Sequence, residues 1–250
     1  MSDRFRVTMV NKYYPPHLGG VEFHLRDLAQ GLVERELAEV RALVCNGGPE
    51  REEETLDGVD VVRLPRAFEA ASTPVSLGFT GAIREEARRT PRPDILHLHF
   101  PYPWGEVAWL RAKPDVPTVV TYHSDIVRQK TALTAYRPML ERFLDRVDLI
   151  IASSPNMIEH SEFLAPRAAK CRHVDFGLPV ERIAENPAAK QRAEQLRAEH
   201  PGRPIVLFVG RFVYYKGAEV LMRAMEHVDA DLVMIGRGPL EGELREIAVA

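Results

Sequence analysis

The chain has 250 residues, 45% hydrophobic and 28% charged, with a formal net charge of −3. That length suits one large domain or two modest ones, and the charge excludes a nucleic-acid binder driven by a basic surface. No apolar run spans a bilayer, the start Met1-Ser2-Asp3 is too polar for a signal peptide, and Cys45 and Cys171 fit no metal or CxxC spacing, so the expectation is a cytosolic protein with reduced thiols.

Residues 5–11 (FRVTMVN) predict a first strand, and residues 12–20 (KYYPPHLGG) a loop ending in Gly19-Gly20. Val21, Leu25, Leu28, Ala29, Leu32 and Val33 then form one apolar helical stripe. In this βα unit the two glycines stand at the helix entrance. There a backbone can approach a ligand and its amides can face an anion, although a plain turn reads equally well. The dinucleotide pattern G-x-G-x-x-G is absent. Residues 38–44 and 59–64 predict two more strands, and residues 49–54 (PEREEE) between them read as an acidic solvated loop without a function. Residues 81–90 predict a helix carrying Arg84, Arg88 and Arg89, a face that reads as solvated rather than lipid-bound.

Residues 94–99 (DILHLH) predict a strand of alternating side chains. His97 and His99 share a face with Ile95, opposite Leu96 and Leu98. A His-x-His pair can chelate a metal, but no carboxylate or cysteine stands nearby in the sequence to complete a set. The reading is therefore one packed histidine, with His99 reaching the carboxyl end of the strand. Phe100-Pro101-Tyr102-Pro103 breaks the strand before a helix around residues 106–111. Residues 116–122 predict the next strand, which delivers His123-Ser124-Asp125 to the edge shared with Gly19, Gly20 and His99. Leu140, Phe143, Leu144 and Val147 mark a helix core face, and residues 149–152 a short strand. Ser153-Ser154-Pro155 is a capped helix start, residues 171–176 a last strand of the first half, and residues 177–187 a linker.

A polar helix over residues 188–199 opens the second half. Residues 205–209 (IVLFV) predict a buried parallel strand, followed by Gly210 and Arg211, then Lys216 and Gly217, then a helix marked by Val220, Leu221, Ala224, Met225 and Val228. Arg offers a planar fork of donors, Lys a mobile point charge, and a helix start aligned amides, so the guest expected here is a phosphate or diphosphate. Residues 231–235 predict one more strand, ending in Gly236-Arg237-Gly238-Pro239, with a helix from Leu240. Two strands leave both edges of a sheet open, and the pattern stops within a helix. The expectation is a fragment of a longer chain, or a short chain completed by dimerising.

The segment G-R-x-x-x-x-K-G at residues 210–217 resembles the donor-diphosphate site of GT-B glycosyltransferases of family 4, the retaining group that uses activated sugars. Y-x-P-x-x-G-G-x-E at residues 14–22, the strand end Thr121-Tyr122-His123 and G-x-G-P at residues 236–239 are similar to other marks of that family; Asp175-Phe176-Gly177-Leu178-Pro179 matches its P-x-G-[VI]-D segment in part. The resemblance covers nearly the whole chain. It implies an α/β fold of GT-B type: an N-terminal Rossmann-like open parallel sheet domain over residues 1–178, then a linker and the first part of a second Rossmann-like domain over residues 179–250.

The activity implied is transfer of a hexose from a nucleoside diphosphate sugar, GDP-mannose or similar, to a carbohydrate or lipid-linked acceptor hydroxyl. By the resemblance His123, Arg211 and Lys216 carry the catalysis, and Gly19, Gly20, Gly236 and Gly238 join the two cations around the donor. His99, Tyr14 and Asp125 are the acceptor-side candidates. The resemblance implies no cofactor and no metal; nucleic acid is not a partner, and peripheral contact with the inner face of a membrane would come through a lipid-linked acceptor. In one respect the chain departs from the family: no two glutamates stand in an E-x7-E motif, which puts donor choice and activity in question. A GT-B sugar-nucleotide epimerase and a non-catalytic sugar-nucleotide-binding module are the alternatives.

Overall fold

The structure, a computed structural model, describes residues 4–17, 19–70, 73–126 and 130–249. Met1, Ser2, Asp3 and Ala250 lie outside that set. The chain divides into two compact units, Met1–Leu178 and Pro179–Ala250.

Unit 1 is built on an eight-stranded sheet. Its strands are β1 (Phe5–Val10), β2 (Ala38–Cys45), β3 (Glu52–Leu56), β4 (Val59–Leu64), a separate small hairpin of β5 (Phe68–Ala70) and β6 (Thr73–Val75), then β7 (Ile95–Phe100), β8 (Thr118–Tyr122), β9 (Leu149–Ala152) and β10 (Cys171–His173). The order across the large sheet is β10-β9-β8-β7-β1-β2-β4-β3. Every pairing in it is parallel except β3 with β4. The chain winds outward from β1 through β2 to β4, then returns beside β1 with β7 and winds the other way. The carboxyl ends of β1 and β7 therefore flank the point where the strand order reverses, the crevice in which open α/β sheets hold ligands.

Five helices cover this sheet: α1 (Gly20–Glu34), α2 (Phe79–Arg88), α3 (Pro103–Ala112), α4 (Lys130–Arg146) and α5 (Pro155–His160). Because side chains alternate along a strand, each face has its own core. Val7 and Met9 of β1 pack with Leu25 and Ala29 of α1, whereas Val10 packs with Leu96, Leu98 and Phe100 of β7. His97 and His99 consequently lie on the α1 side of the sheet. Helix starts follow local chemistry: Pro103 opens α3, and the Ser154 hydroxyl accepts the Met157 N–H at 3.1 Å to cap α5.

Three expectations are corrected. Residues 49–54 are not simply a solvated loop: Glu52, Glu53 and Glu54 enter edge strand β3, joined to β4 through Asp57 and Gly58, both at positive φ. No hydrophobic alternation announces this strand; its signal is the Asp-Gly turn. The strand predicted over 171–176 ends at His173, where its only partner β9 also ends, which frees Phe176 to turn over the site. The linker over 177–187 contains a short helix.

In unit 2 that helix is α6 (Val180–Ala184), followed by α7 (Pro187–Glu199), β11 (Ile205–Val209), α8 (Ala218–Ala224), β12 (Asp231–Ile235) and α9 (Glu241–Val249). β11 and β12 are parallel partners from Ile205 opposite Asp231 to Val209 opposite Ile235. Phe212, Ala218 and Leu244 make the core, with Phe208, Met222, Met234 and Leu240 against it. The expectation of a buried strand holds for β11 on one face only, since Leu207 is 53% and Val209 68% exposed. Helices cover only the Phe208 face of this two-stranded sheet.

Candidate active site

In unit 1 the side chains gather at the carboxyl ends of β7 and β8, beside the start of α1. His99 stands opposite Thr121 in the sheet register, and His97 opposite Val119. His97 Nε2 lies 2.7 Å from the Thr121 hydroxyl, and His99 Nδ1 lies 3.1 Å from His123 Nε2. The His97 and His99 rings stack with centroids 4.6 Å apart. Both are buried, His99 more deeply (1% exposed) than His97 (6%), so His99 is packed rather than open, and it addresses the cleft through His123. Burial pushes the His97 imidazole down to about 4, His99 well below its ordinary value and His123 down to about 3, so all three are neutral near pH 7.

A third element completes the group. His24, one turn into α1, sits with its ring centroid 5.2 Å from His123 and 5.8 Å from His99. One ring nitrogen from each of His24, His99 and His123 lies within 4.8 Å of the others. The Phe176 ring closes over them, 4.0 Å from His24 and 5.0 Å from His123. His24, Phe176 and Lys12 were not singled out from the sequence. His24 stands one helical turn past Gly20, but its place beside His99 depends on how α1 packs on the sheet, and that of Phe176 on where β10 stops pairing.

Gly19 is the residue before α1, in extended backbone, and Gly20 is the first helical residue. The Glu22 carboxylate folds back over Gly19 so closely that a Cβ there would collide with it. Glu22 is 2% exposed, and its Oε1 lies 3.8 Å from Lys12 Nζ. The helix start thus already carries a buried carboxylate, whose charge opposes an anion at that place. Two acceptor-side candidates have structural places. Tyr14, 1% exposed, belongs to the core under α1, where burial raises its hydroxyl to about 12; it offers no surface to an acceptor, and that expectation is withdrawn. Asp125 Oδ1 accepts hydrogen bonds from the Tyr122 and Ser161 hydroxyls, both at 2.7 Å, and so pins the loop after β8 to the end of α5.

In unit 2 the same edge of β11 and β12 carries Arg211 and Lys216. Arg211 is exposed, and no hydrogen-bond or ion-pair partner for its side chain exists among the described residues. Lys216 is exposed over the Tyr215 ring at 5.8 Å. Gly217, at φ +68°, turns the chain from a short 3-10 turn at Tyr214–Lys216 into α8. Gly236 and Gly238 hold a second loop against the first: a Cβ on Gly236 would strike the Gly210 carbonyl, and one on Gly238 the Phe212 carbonyl. Phe212 N–H donates to the Arg237 carbonyl at 2.9 Å, and Leu240 N–H to the Phe212 carbonyl at 3.2 Å. Both glycines thus have a packing reason independent of any ligand.

Known proteins resemble this chain in sequence and in fold. The sequence profile of Glycosyltransferase Family 4 matches residues 18–182. The chain is 40% identical over 246 residues to O-antigen chain mannosyltransferase C of Escherichia coli, covering 97% of this chain and 64% of that protein. It is 39% identical over 183 residues to D-rhamnosyltransferase WbpZ of Pseudomonas aeruginosa, covering 73% of this chain and 46% of that protein. The chain thus spans less than two thirds of the length of these relatives. Among solved structures, sucrose-phosphate synthase from Thermosynechococcus elongatus superposes with a TM-score of 0.74 at 20% identity, over 98% of this chain and 67% of that one. Anabaena Alr3699/HepE in complex with UDP-glucose gives 0.66 at 17% identity, over 98% of this chain and 66% of that one. At such identities the likeness is one of fold, and it is the α/β fold of GT-B type. With the profile over most of unit 1 and the two bacterial relatives, it follows that the chain belongs to Glycosyltransferase Family 4.

Proposed function

We propose that the protein transfers a hexose from a nucleoside diphosphate sugar to an acceptor hydroxyl, with retention at the anomeric carbon, in the assembly of a surface polysaccharide or glycolipid. GDP-mannose or a related sugar nucleotide is the donor. The single observation that carries the reading is the Arg211–Lys216 loop at the carboxyl end of β11, two exposed cations running into a helix start, in a chain 40% identical to an O-antigen mannosyltransferase.

The chemistry suits these groups. Departure of the nucleoside diphosphate builds negative charge on its phosphates. Arg211 and Lys216 stabilise that charge as it develops, which is where electrostatic catalysis acts. His123, neutral and tethered to His99, holds the sugar or the incoming hydroxyl as a hydrogen-bonding partner rather than as a cation. Front-side attack, with the leaving phosphate oxygen accepting the hydroxyl proton, requires no carboxylate nucleophile. A lipid-linked acceptor would bring the protein to a membrane surface; no helix among the described residues is long and apolar enough to cross one.

Calorimetric titration with GDP and UDP in parallel tests the phosphate site. Heat with GDP and none with UDP is expected, and GDP-[14C]mannose should then label an acceptor glycan. Binding of neither nucleotide removes the phosphate assignment. Release of free sugar from the donor without acceptor labelling replaces transfer with hydrolysis or epimerisation.

A further inference from the structure

We propose that His24, His99 and His123 form a binding site for one transition-metal ion of the zinc type, independent of the phosphate loop in unit 2. The three imidazoles come from three separate elements, α1 and the ends of β7 and β8, yet one nitrogen of each lies within 4.8 Å of the others. His99 Nδ1 and His123 Nε2 are 3.1 Å apart. Two nitrogens bound to one tetrahedral zinc, each about 2.0–2.1 Å from it, stand roughly 3.3 Å apart. The pair already has the spacing of one edge of a coordination tetrahedron, and a small rotation of the His24 ring closes a face.

Further observations point the same way. The Phe176 ring walls one side. Lys12 is the charge that opposes a cation here, and Glu22, 3.8 Å from it and buried, offsets it.

The donor set decides the metal. Three imidazoles with no carboxylate oxygen suit zinc, cobalt and nickel, and disfavour magnesium, manganese and calcium. Three protein ligands also leave a fourth position for water or an anion. Because His123 is the residue assigned above to the sugar, an ion at this site competes with the sugar, and zinc inhibits the transfer.

The test is a titration of the tag-free protein with CoCl2, followed in the visible d–d region, then competition with ZnCl2, MgCl2 and MnCl2. One cobalt ion per chain with tetrahedral-type bands is expected, displaced by zinc but not by magnesium or manganese. His24→Ala and His123→Ala should each weaken cobalt binding by about tenfold or more, as loss of a coordinating or supporting group does. His173→Ala, which removes a surface histidine beside Asp175, should leave it unchanged. Absence of d–d bands, or wild-type affinity in the His24→Ala/His123→Ala double variant, overturns the site. Should the variants fail to fold, the wild-type melting temperature decides: ZnCl2 should raise it, as any ligand of the folded state does, and no change overturns the proposal. Neither readout involves a nucleotide, so failure here leaves the transferase reading standing.

Discussion

His99 Nδ1 and His123 Nε2 face each other across 3.1 Å, and burial keeps both rings neutral, so a single proton is shared between the two imidazoles. His99 is sealed in the sheet while His123 is half-buried at its edge. The inner ring thus fixes the orientation of the outer one. His123→Ala should lower kcat by about a hundredfold, the scale of one positioned hydrogen-bonding group, while the affinity for GDP changes little. Steady-state kinetics beside calorimetry checks this; equal losses in both would make His123 a nucleotide-binding residue instead.

Acid should unfold unit 1 through its buried histidines. In the unfolded chain a histidine takes up a proton near pH 6.5, whereas folded His97 waits until about 4, and burial likewise holds folded His99 well below its ordinary value. Between those values the unfolded state binds more protons, so stability rises with pH and is lost as the pH falls. His97 contributes about 1.4 kcal/mol per pH unit in that window, and His99 acts in the same direction. Urea denaturation between pH 5 and 7 should show a steep loss in the wild type and a shallower one in His97→Gln.

The alkaline side belongs to Glu106. This residue is 2% exposed, accepts the Tyr102 N–H at 2.9 Å through Oε1, and leaves Oε2 unpaired. Burial pushes its carboxyl up to about 8, against 4.5 when solvated. The folded state holds the extra proton between those values, so stability declines as the pH rises through them, by about 1.4 kcal/mol per unit. Glu106→Gln keeps an acceptor for Tyr102 without the charge. Its denaturation midpoint should be flat from pH 6 to 8, where that of the wild type falls.

Arg211→Ala and Lys216→Ala should each weaken nucleoside diphosphate binding by about 1–3 kcal/mol, the range for a hydrogen bond to a charged group. Both side chains are exposed, so the folded state should tolerate either change. Unaltered nucleotide affinity in both variants would remove the diphosphate from this loop.

Gly238→Ala separates packing from ligand contact. The added methyl meets the Phe212 carbonyl between the two loops, and forcing apart close-packed groups costs about 1–3 kcal/mol. Unit 2 should lose that stability in urea with no nucleotide present. A variant that keeps its stability but loses GDP would instead make Gly238 a donor contact.

Much of this architecture was legible in the sequence because the strands of a doubly wound sheet are apolar runs with polar ends. The runs at residues 5–10, 38–45 and 95–100 are of this kind, and each hands its last residues to the ligand-facing edge. Edge strand β3 escaped notice because its residues, being exposed, have no apolar period. The histidine group was half legible: the alternation of β7 placed His97 and His99 on one face, but His24 joins them only because α1 packs on that same face, a long-range fact. Tyr14 illustrates the opposite error. The resemblance placed it on the acceptor side, and the loop instead tucks its ring under α1.

The acidic border of the large sheet has a consequence for how the protein behaves in crowded solution. β3 presents Glu52, Glu53 and Glu54 along the outermost strand, with Glu53 paired to Arg51 and Arg41 and Glu54 to Arg63 of the same chain. A second copy seeking to extend the sheet at this border would set like charges against each other and compete with those internal pairs. The opposite border, β10, is only three residues long. The large sheet is thereby guarded against pairing with a second copy, at one border by carboxylates and at the other by brevity.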